Sequence, residues 1–95
     1  MIPSGRFHGI VHGRMGLLNR IWTGKVFTGY KVKNLILGRE HIEGNVSNEH
    51  GIVVISYPQL GLTDRLVPAN ADGSVWHGTM ALFGQTVRFT LTRVE

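Results

Sequence analysis

Short stretches of alternating apolar and polar residues recur along this chain, and glycine, asparagine or aspartate separates each stretch from the next. Alternation with a period of two is typical of extended strands that bury one face and expose the other. The separating residues tolerate the positive φ angles that tight hairpins require. The pattern predicts seven or eight short strands, near residues 6–12, 20–28, 30–37, 40–46, 51–57, 62–68, 74–82 and 85–94.

The glycine content favours a meander of such strands. Glycine accounts for 13 of the 95 residues, with three prolines and no Gly-x-y period, so we interpret the glycines as turns and bulges. Strands joined by short turns pair with their sequence neighbours, and a sheet of this many strands exposes its edges unless it closes. We therefore predict an all-β fold: one domain over residues 1–95 forming a small antiparallel meander barrel, with at most one short helix, over 14–21.

The last predicted hairpin has the clearest core pattern. Its inward-facing positions are Trp76, Met80, Leu82, Val87, Phe89 and Leu91. The intervening positions include threonine, histidine and arginine, which suit a solvated face. We expect the apolar residues of the two strands to pack against each other inside the barrel.

Composition restricts the compartment and the chemistry. The chain has no cysteine, which excludes disulfides, thiolate metal sites and a cysteine nucleophile. Its N-terminal residues lack the charged and apolar regions of a signal peptide, and no apolar run approaches the ~20 residues that span a bilayer. We expect a cytoplasmic protein without membrane insertion.

Charge is distributed unevenly between the two parts of the chain. Residues 1–39 contain seven lysines and arginines and no acid, whereas residues 40–95 contain all six acids. Neighbouring strands could gather the basic residues into one face for an anionic ligand, a nucleic acid or an acidic partner. A solvated basic surface is the alternative that we favour. The aromatic residues are spread about one per strand rather than clustered on a basic face, so nucleic-acid binding is not favoured.

No motif indicates an enzyme, a metal site or a cofactor. His8 and His12 lie four residues apart on a predicted strand, which separates them by roughly 13 Å, and the other histidines lack ligand spacing. Neither a nucleophile elbow nor a phosphate-binding glycine loop occurs. We predict no catalytic residues, no metal and no cofactor. The one enzymatic hypothesis that stays open is an acid–base pair of Lys25 and Asp64.

Three polar residues fall on strand faces that are otherwise apolar. Alternation groups Lys25 with Ile21, Thr23 and Phe27, groups Asn34 with Tyr30, Val32 and Ile36, and groups Asp64 with Leu62 and Leu66. Buried charges must be paired or hydrogen-bonded, so we expect a Lys25–Asp64 pair with Asn34 nearby. This cluster could fix the strand register or orient a ligand. A bulge at Gly24 would instead reverse the faces and expose it.

The segment Trp-Thr-Gly-Lys-Val-Phe at residues 22–27 and the C-terminal series carry a family resemblance. The series comprises Tyr57-Pro58, Asp64-Arg65-Leu66, Gly78-Thr79-Met80 and Phe89-Thr90-Leu91-Thr92-Arg93. Over residues 20–94 the chain resembles an uncharacterised lipocalin-like family described by a Gly-x-Trp-x-Gly motif, which this chain lacks. The resemblance implies a calycin-like barrel and, by analogy, binding of a small apolar molecule, without a known activity.

These observations lead to one functional prediction and two alternatives. We predict a non-enzymatic binding module for a small hydrophobic or amphipathic ligand. Its apolar walls would comprise Trp22, Trp76, Met80 and Phe89, and its orienting groups Lys25, Asn34 and Asp64. The alternatives are a filled barrel that acts through assembly, as a homodimer for example, and a nucleic-acid binder that uses the basic face.

Overall fold

The computed structural model describes residues 1–94 as one closed antiparallel barrel of eight strands with a 3-10 helix. The strands are β1 (Gly5–His12), β2 (Trp22–Thr28), β3 (Lys31–Ile36), β4 (Arg39–Glu49), β5 (Ile52–Tyr57), β6 (Leu62–Pro68), β7 (Val75–Leu82) and β8 (Gln85–Arg93), and the 3-10 helix is Gly13–Arg20. Each strand pairs with the next in sequence, and β8 returns to pair with β1. The predicted fold class is confirmed.

Closure of the barrel depends on the pairing of β1 with β8. The register runs from Phe7 opposite Arg93 to His12 opposite Arg88. A closed sheet leaves no free edge for another chain to extend. Assembly through an edge strand, one form of the predicted structural alternative, therefore has no edge to use within residues 1–94.

The 3-10 helix is fastened to the barrel by an asparagine. The Asn19 side chain accepts a hydrogen bond from the Val11 amide at 2.7 Å and donates one to the Val11 carbonyl at 2.9 Å. Met15 and Leu18 pack against the core from the helix. The helix thus lies over the end of the barrel that also holds the turns after β3, β5 and β7.

The opposite end is filled by aromatic packing and by the N-terminal segment. Phe7 and Phe27 meet edge to face at 5.6 Å. Trp76 is buried, and its indole donates to the Gly73 carbonyl at 2.8 Å. The Asn48 side chain holds the Met1 carbonyl at 3.0 Å. This end of the barrel is closed.

A β-bulge in β2 sets which of its residues face inward. The register shifts between Trp22 and Gly24, and a Cβ on Gly24 would lie 2.0 Å from the Phe7 carbonyl oxygen. Because the extra residue precedes Lys25, Lys25 and Phe27 stay inward as predicted. Trp22 also faces inward and lines the cavity described below. Ile21 is 51% exposed, so the predicted inward placement of Ile21 is wrong.

Burial and a neighbouring acid reduce the positive charge that the first part of the chain presents at the surface. Lys25 lies inside the barrel. Lys31 donates to Asn45 at 2.6 Å and lies 3.7 Å from the Glu43 carboxylate, while Lys33 pairs with Glu43 across the strands. Glu43 of β4 thus offsets part of the positive charge on β3.

Candidate functional site

A cavity of about 230 Å³ lies inside the barrel at the end beneath the 3-10 helix. Its apolar walls are Val11, Leu18, Trp22, Ile36, Ile42, Leu60, Leu62, Met80, Leu82, Val87 and Phe89. Four polar side chains line it as well: Lys25, Asn34, Tyr57 and Asp64. The walls therefore suit an apolar molecule, and the polar contacts are concentrated in one cluster.

Lys25 is at the centre of the polar cluster and is only 3% exposed. Its Nζ lies 2.7 Å from Asp64 Oδ2 and 2.7 Å from Asn34 Oδ1, and it donates to Tyr57 Oη at 2.6 Å. The same ammonium lies 5.1–5.6 Å from the ring centroids of Tyr57, Trp22 and Phe89. Aromatic faces at this distance attract a cation and replace part of its lost hydration.

Tyr57 and Asn34 connect the ion pair to the rest of the barrel. Tyr57 Oη donates to Asp64 Oδ2 at 3.1 Å and accepts from Asn34 Nδ2 at 3.0 Å. Asn34 Nδ2 also donates to the Ile42 carbonyl at 3.2 Å. Ile42 is the bulged residue of β4, with a positive φ of 50°, opposite the register shift between Lys33 and Asn34. This second bulge brings a backbone acceptor to the cluster.

Trp22 joins the cluster to the cavity wall. Its indole Nε1 donates to Asn34 Oδ1 at 2.9 Å. Its ring meets Phe89 edge to face at 5.4 Å. Gly9 makes room for this ring, because a Cβ at Gly9 would lie 2.2 Å from the Trp22 side chain. The indole ring of tryptophan is apolar and its N–H is a hydrogen-bond donor, so Trp22 can contact both the apolar wall and the polar cluster.

Burial and charge act in opposite directions on the titratable groups. Burial by itself lowers the pKa of Lys25, but the Asp64 carboxylate and Tyr57 outweigh it, so the pKa of Lys25 lies above its ordinary value. Burial raises the pKa of Tyr57, which Lys25 offsets only in part. Lys25 is therefore an ammonium and Tyr57 a neutral phenol at physiological pH.

This protonation state limits the chemistry of the cluster. A lysine nucleophile must lose its proton near neutral pH, and a general acid or base works best with a pKa near the working pH. Lys25 has the opposite shift and is tied to three partners. Lys25 is therefore poorly suited to act as a nucleophile or as a general base.

One buried atom of the cluster is unpaired. Asp64 is 2% exposed, and its Oδ2 receives both Lys25 and Tyr57. Its Oδ1 has no hydrogen-bond partner within residues 1–94. A carboxylate oxygen buried without a donor is costly, so this atom calls for an explanation.

The structure brings together six of the seven predicted site residues. Trp22, Lys25, Asn34, Asp64, Met80 and Phe89 all line the cavity, and the predicted Lys25–Asp64 contact with Asn34 nearby is present. Trp76 instead lies at the closed end, where it contacts Gly73.

Sequence reasoning missed Tyr57, one of the aromatic residues spread along the strands. It shares the inward face of β5 with Val53 and Ile55, so alternation would have placed it inside. A buried tyrosine hydroxyl needs a partner. That requirement was the signal for its role in the cluster.

Apolar side chains continue from the cavity to the surface at this end. Leu37 and Phe83 occupy tips of the turns after β3 and β7, and Leu17 lies on the 3-10 helix. All three are largely exposed, and Phe83 is 94% exposed. The surface around the mouth of the cavity is thus more apolar than a solvated loop requires.

Residues 1–94 contain no group of three histidine, aspartate or glutamate side chains placed to hold a metal ion. None of their helices has the length and hydropathy of a membrane span.

Comparisons with protein-family models, with curated proteins and with solved structures found no match. Functional inference for this chain therefore depends on the geometry of the cavity itself.

Proposed function

We propose that this protein is a non-enzymatic binding module that takes a small apolar or amphipathic molecule into the barrel. The observation that carries the proposal is an apolar cavity with one group of hydrogen-bonded polar side chains in its wall. Binding sites for small molecules combine mostly apolar walls with a few placed polar groups. Up-and-down barrels of eight strands, such as lipocalins, enclose one small ligand in this way.

The cavity volume restricts the size of the ligand. A water molecule occupies roughly 30 Å³ of liquid, and an engineered apolar cavity of roughly 150 Å³ takes up benzene. The cavity of about 230 Å³ therefore suits one ring with a short substituent. A long acyl chain or a large polycyclic ligand would exceed it.

Titration with ethylbenzene, followed by the two indole N–H resonances in NMR spectra, tests the proposal. Trp22 lines the cavity and Trp76 lies at the closed end, so the two indoles report on the site and on a control position. We expect saturable shifts of the Trp22 signal and little change at Trp76.

A matched pair of variants locates the binding. Ile36→Trp places a large ring in the cavity wall, whereas Ile10→Trp makes the same change on the outer face of β1. We expect Ile36→Trp to abolish the ethylbenzene shifts and Ile10→Trp to retain them. Equal binding by both variants, or no saturable shift in the parent protein, would contradict the proposal.

The apolar surface around the mouth favours a second candidate, self-association through this end. Leu17, Leu37 and Phe83 are exposed there, and exposed apolar patches commonly mark interaction sites. Light scattering at increasing concentration would detect a homodimer, and Phe83→Ser should weaken it. A monomer at high concentration would eliminate this candidate.

Nucleic-acid binding has no comparable support, because Lys25 is internal and Glu43 adjoins Lys31 and Lys33.

A further inference from the structure

Every hydrogen-bond donor of Lys25 and Trp22 in the polar cluster already has an acceptor within the protein. A lysine ammonium has three N–H groups, and those of Lys25 meet acceptors on Asn34, Tyr57 and Asp64. The indole N–H of Trp22 is donated to Asn34. Neither side chain has a donor left for a ligand.

The other members of the cluster are equally committed. The Asn34 amide donates to the Ile42 carbonyl and to Tyr57 Oη, and the Tyr57 hydroxyl donates to Asp64 Oδ2. A ligand carboxylate in the cavity would thus meet the cluster without gaining a hydrogen bond from it. The presence of a lysine in the wall does not make this a site for anions, because its charge is matched by Asp64 at 2.7 Å.

The unused hydrogen-bonding atom of the cluster is an acceptor. Asp64 lines the cavity, and its Oδ1 is buried without a donor among residues 1–94. The χ2 torsion of aspartate is broad, so the carboxylate can adjust to a donor that approaches Oδ1 from the cavity. A donor on the ligand would satisfy this oxygen and remove the cost of burying it unpaired.

We infer that the cavity selects a small apolar molecule whose polar end is a neutral hydrogen-bond donor, a hydroxyl or an N–H, and that it rejects carboxylates. This inference rests on the proposed function and adds the chemical class of the ligand. The donor is neutral because the Lys25 ammonium, next to the same carboxylate, repels a second cation.

Benzyl alcohol and benzonitrile form the test pair. They have the same number of non-hydrogen atoms and an aromatic ring of the size that the cavity suits, but the alcohol donates a hydrogen bond and the nitrile only accepts one. Titrations of the whole protein would be followed at the Trp22 indole signal, with Trp76 as the internal control. A hydrogen bond to a charged acceptor is among the stronger ones, so we expect benzyl alcohol to bind at least about fivefold more tightly than benzonitrile. Benzoate should show no saturable shift.

Two results would overturn the inference while leaving the cavity proposal in place. One is benzonitrile binding as tightly as benzyl alcohol, and the other is saturable binding of benzoate at the Trp22 signal. Failure of ethylbenzene and of both test compounds to shift this signal would instead remove the proposed function.

The Asp64→Asn variant tests the assigned acceptor directly. Its amide adds a donor beside the cavity, so we expect the preference for the alcohol to fall below about twofold. An unchanged preference would assign donor recognition to another group and refute the role of Asp64. If the variant does not fold, the three-ligand comparison on the parent protein still decides the inference.

Discussion

Replacement of Tyr57 by phenylalanine tests whether the cluster stabilises the barrel as a connected network. The change removes one hydroxyl and little volume. That hydroxyl accepts from Lys25 at 2.6 Å and from Asn34 at 3.0 Å, and donates to Asp64 at 3.1 Å. Its loss leaves one N–H of the buried ammonium and one of the buried amide without an acceptor.

The expected magnitude follows from these contacts. A hydrogen bond between neutral groups contributes about 1 kcal/mol net, one to a charged group about 1.5–3 kcal/mol, and an orphaned buried partner costs about 1–3 kcal/mol. These contributions are not additive, and water entering from the adjoining cavity can replace part of them. We expect Tyr57→Phe to lower the free energy of unfolding by about 2–4 kcal/mol. Each kcal/mol should lower Tm by roughly 4–8 °C.

Urea denaturation followed by tryptophan fluorescence measures this loss, with Tyr30→Phe as the matched control. Tyr30 is largely exposed, so the same chemical change there should alter stability by less than about 0.5 kcal/mol. The reasoning would be refuted if Tyr57→Phe were as mild as Tyr30→Phe with unchanged m-value. Such a result would mean that the cluster rearranges or hydrates without cost.

Three further predictions concern the ion pair, its titration and the bulge. Lys25→Met should cost about 3–5 kcal/mol because it leaves the buried Asp64 carboxylate without its countercharge. Lys25→Met combined with Asp64→Leu should cost less than Lys25→Met alone in urea unfolding, and an equal or larger cost would contradict this. Although burial lowers the pKa of Lys25, Asp64 and Tyr57 outweigh it and leave that pKa raised. The contribution of Lys25 to stability is therefore complete below the unfolded pKa of about 10.4 and is lost as the pH rises through the folded value. The urea concentration at the midpoint of unfolding should therefore decrease above about pH 10, and it should decrease less steeply in the Lys25→Met, Asp64→Leu double variant. Parallel pH profiles of the two proteins would contradict this. Gly24→Ala should cost more than about 3 kcal/mol, because the φ of Gly24 is 152° and the added Cβ would meet the Phe7 carbonyl. Gly16→Ala in the 3-10 helix is the control and should leave Tm nearly unchanged in thermal melting. Similar Tm values for the two variants would exclude the proposed clash.

Local alternation was sufficient to identify most of the site. It placed Asn34 and Asp64 on inward faces, and buried and exposed residues do alternate from Lys31 to Asn34 and from Asp64 to Leu66. The rule that buried charges need partners then joined Asp64 to Lys25, and the structure has this contact at 2.7 Å.

Alternation failed where the backbone departs from regular pairing. The bulge before Gly24 turns Trp22 inward and Ile21 outward, and Gly24 there lies close to the Phe7 backbone of β1, a strand that precedes it by more than ten residues. The bulge at Ile42, which supplies a carbonyl to Asn34, is likewise a property of two paired strands. Gly24 indicated a possible bulge in β2, but that bulge leaves the cluster inside the barrel instead of exposing it, and the residue type of Ile42 gave no indication of the second bulge.

The sequence by itself determined the fold class, the meander order and the inward face of most strands, since turn chemistry and a period of two are local properties. Only the tertiary structure decided depth along the barrel axis. Trp76 and Phe89 both face inward, but register pairs Trp76 with Leu91 near the closed end and sets Phe89 over Gly78 beside the cavity. Depth depends on the stagger of all eight strands and on closure of β1 against β8. The meeting of Lys25, Asn34, Tyr57 and Asp64 at one level is therefore a consequence of barrel closure.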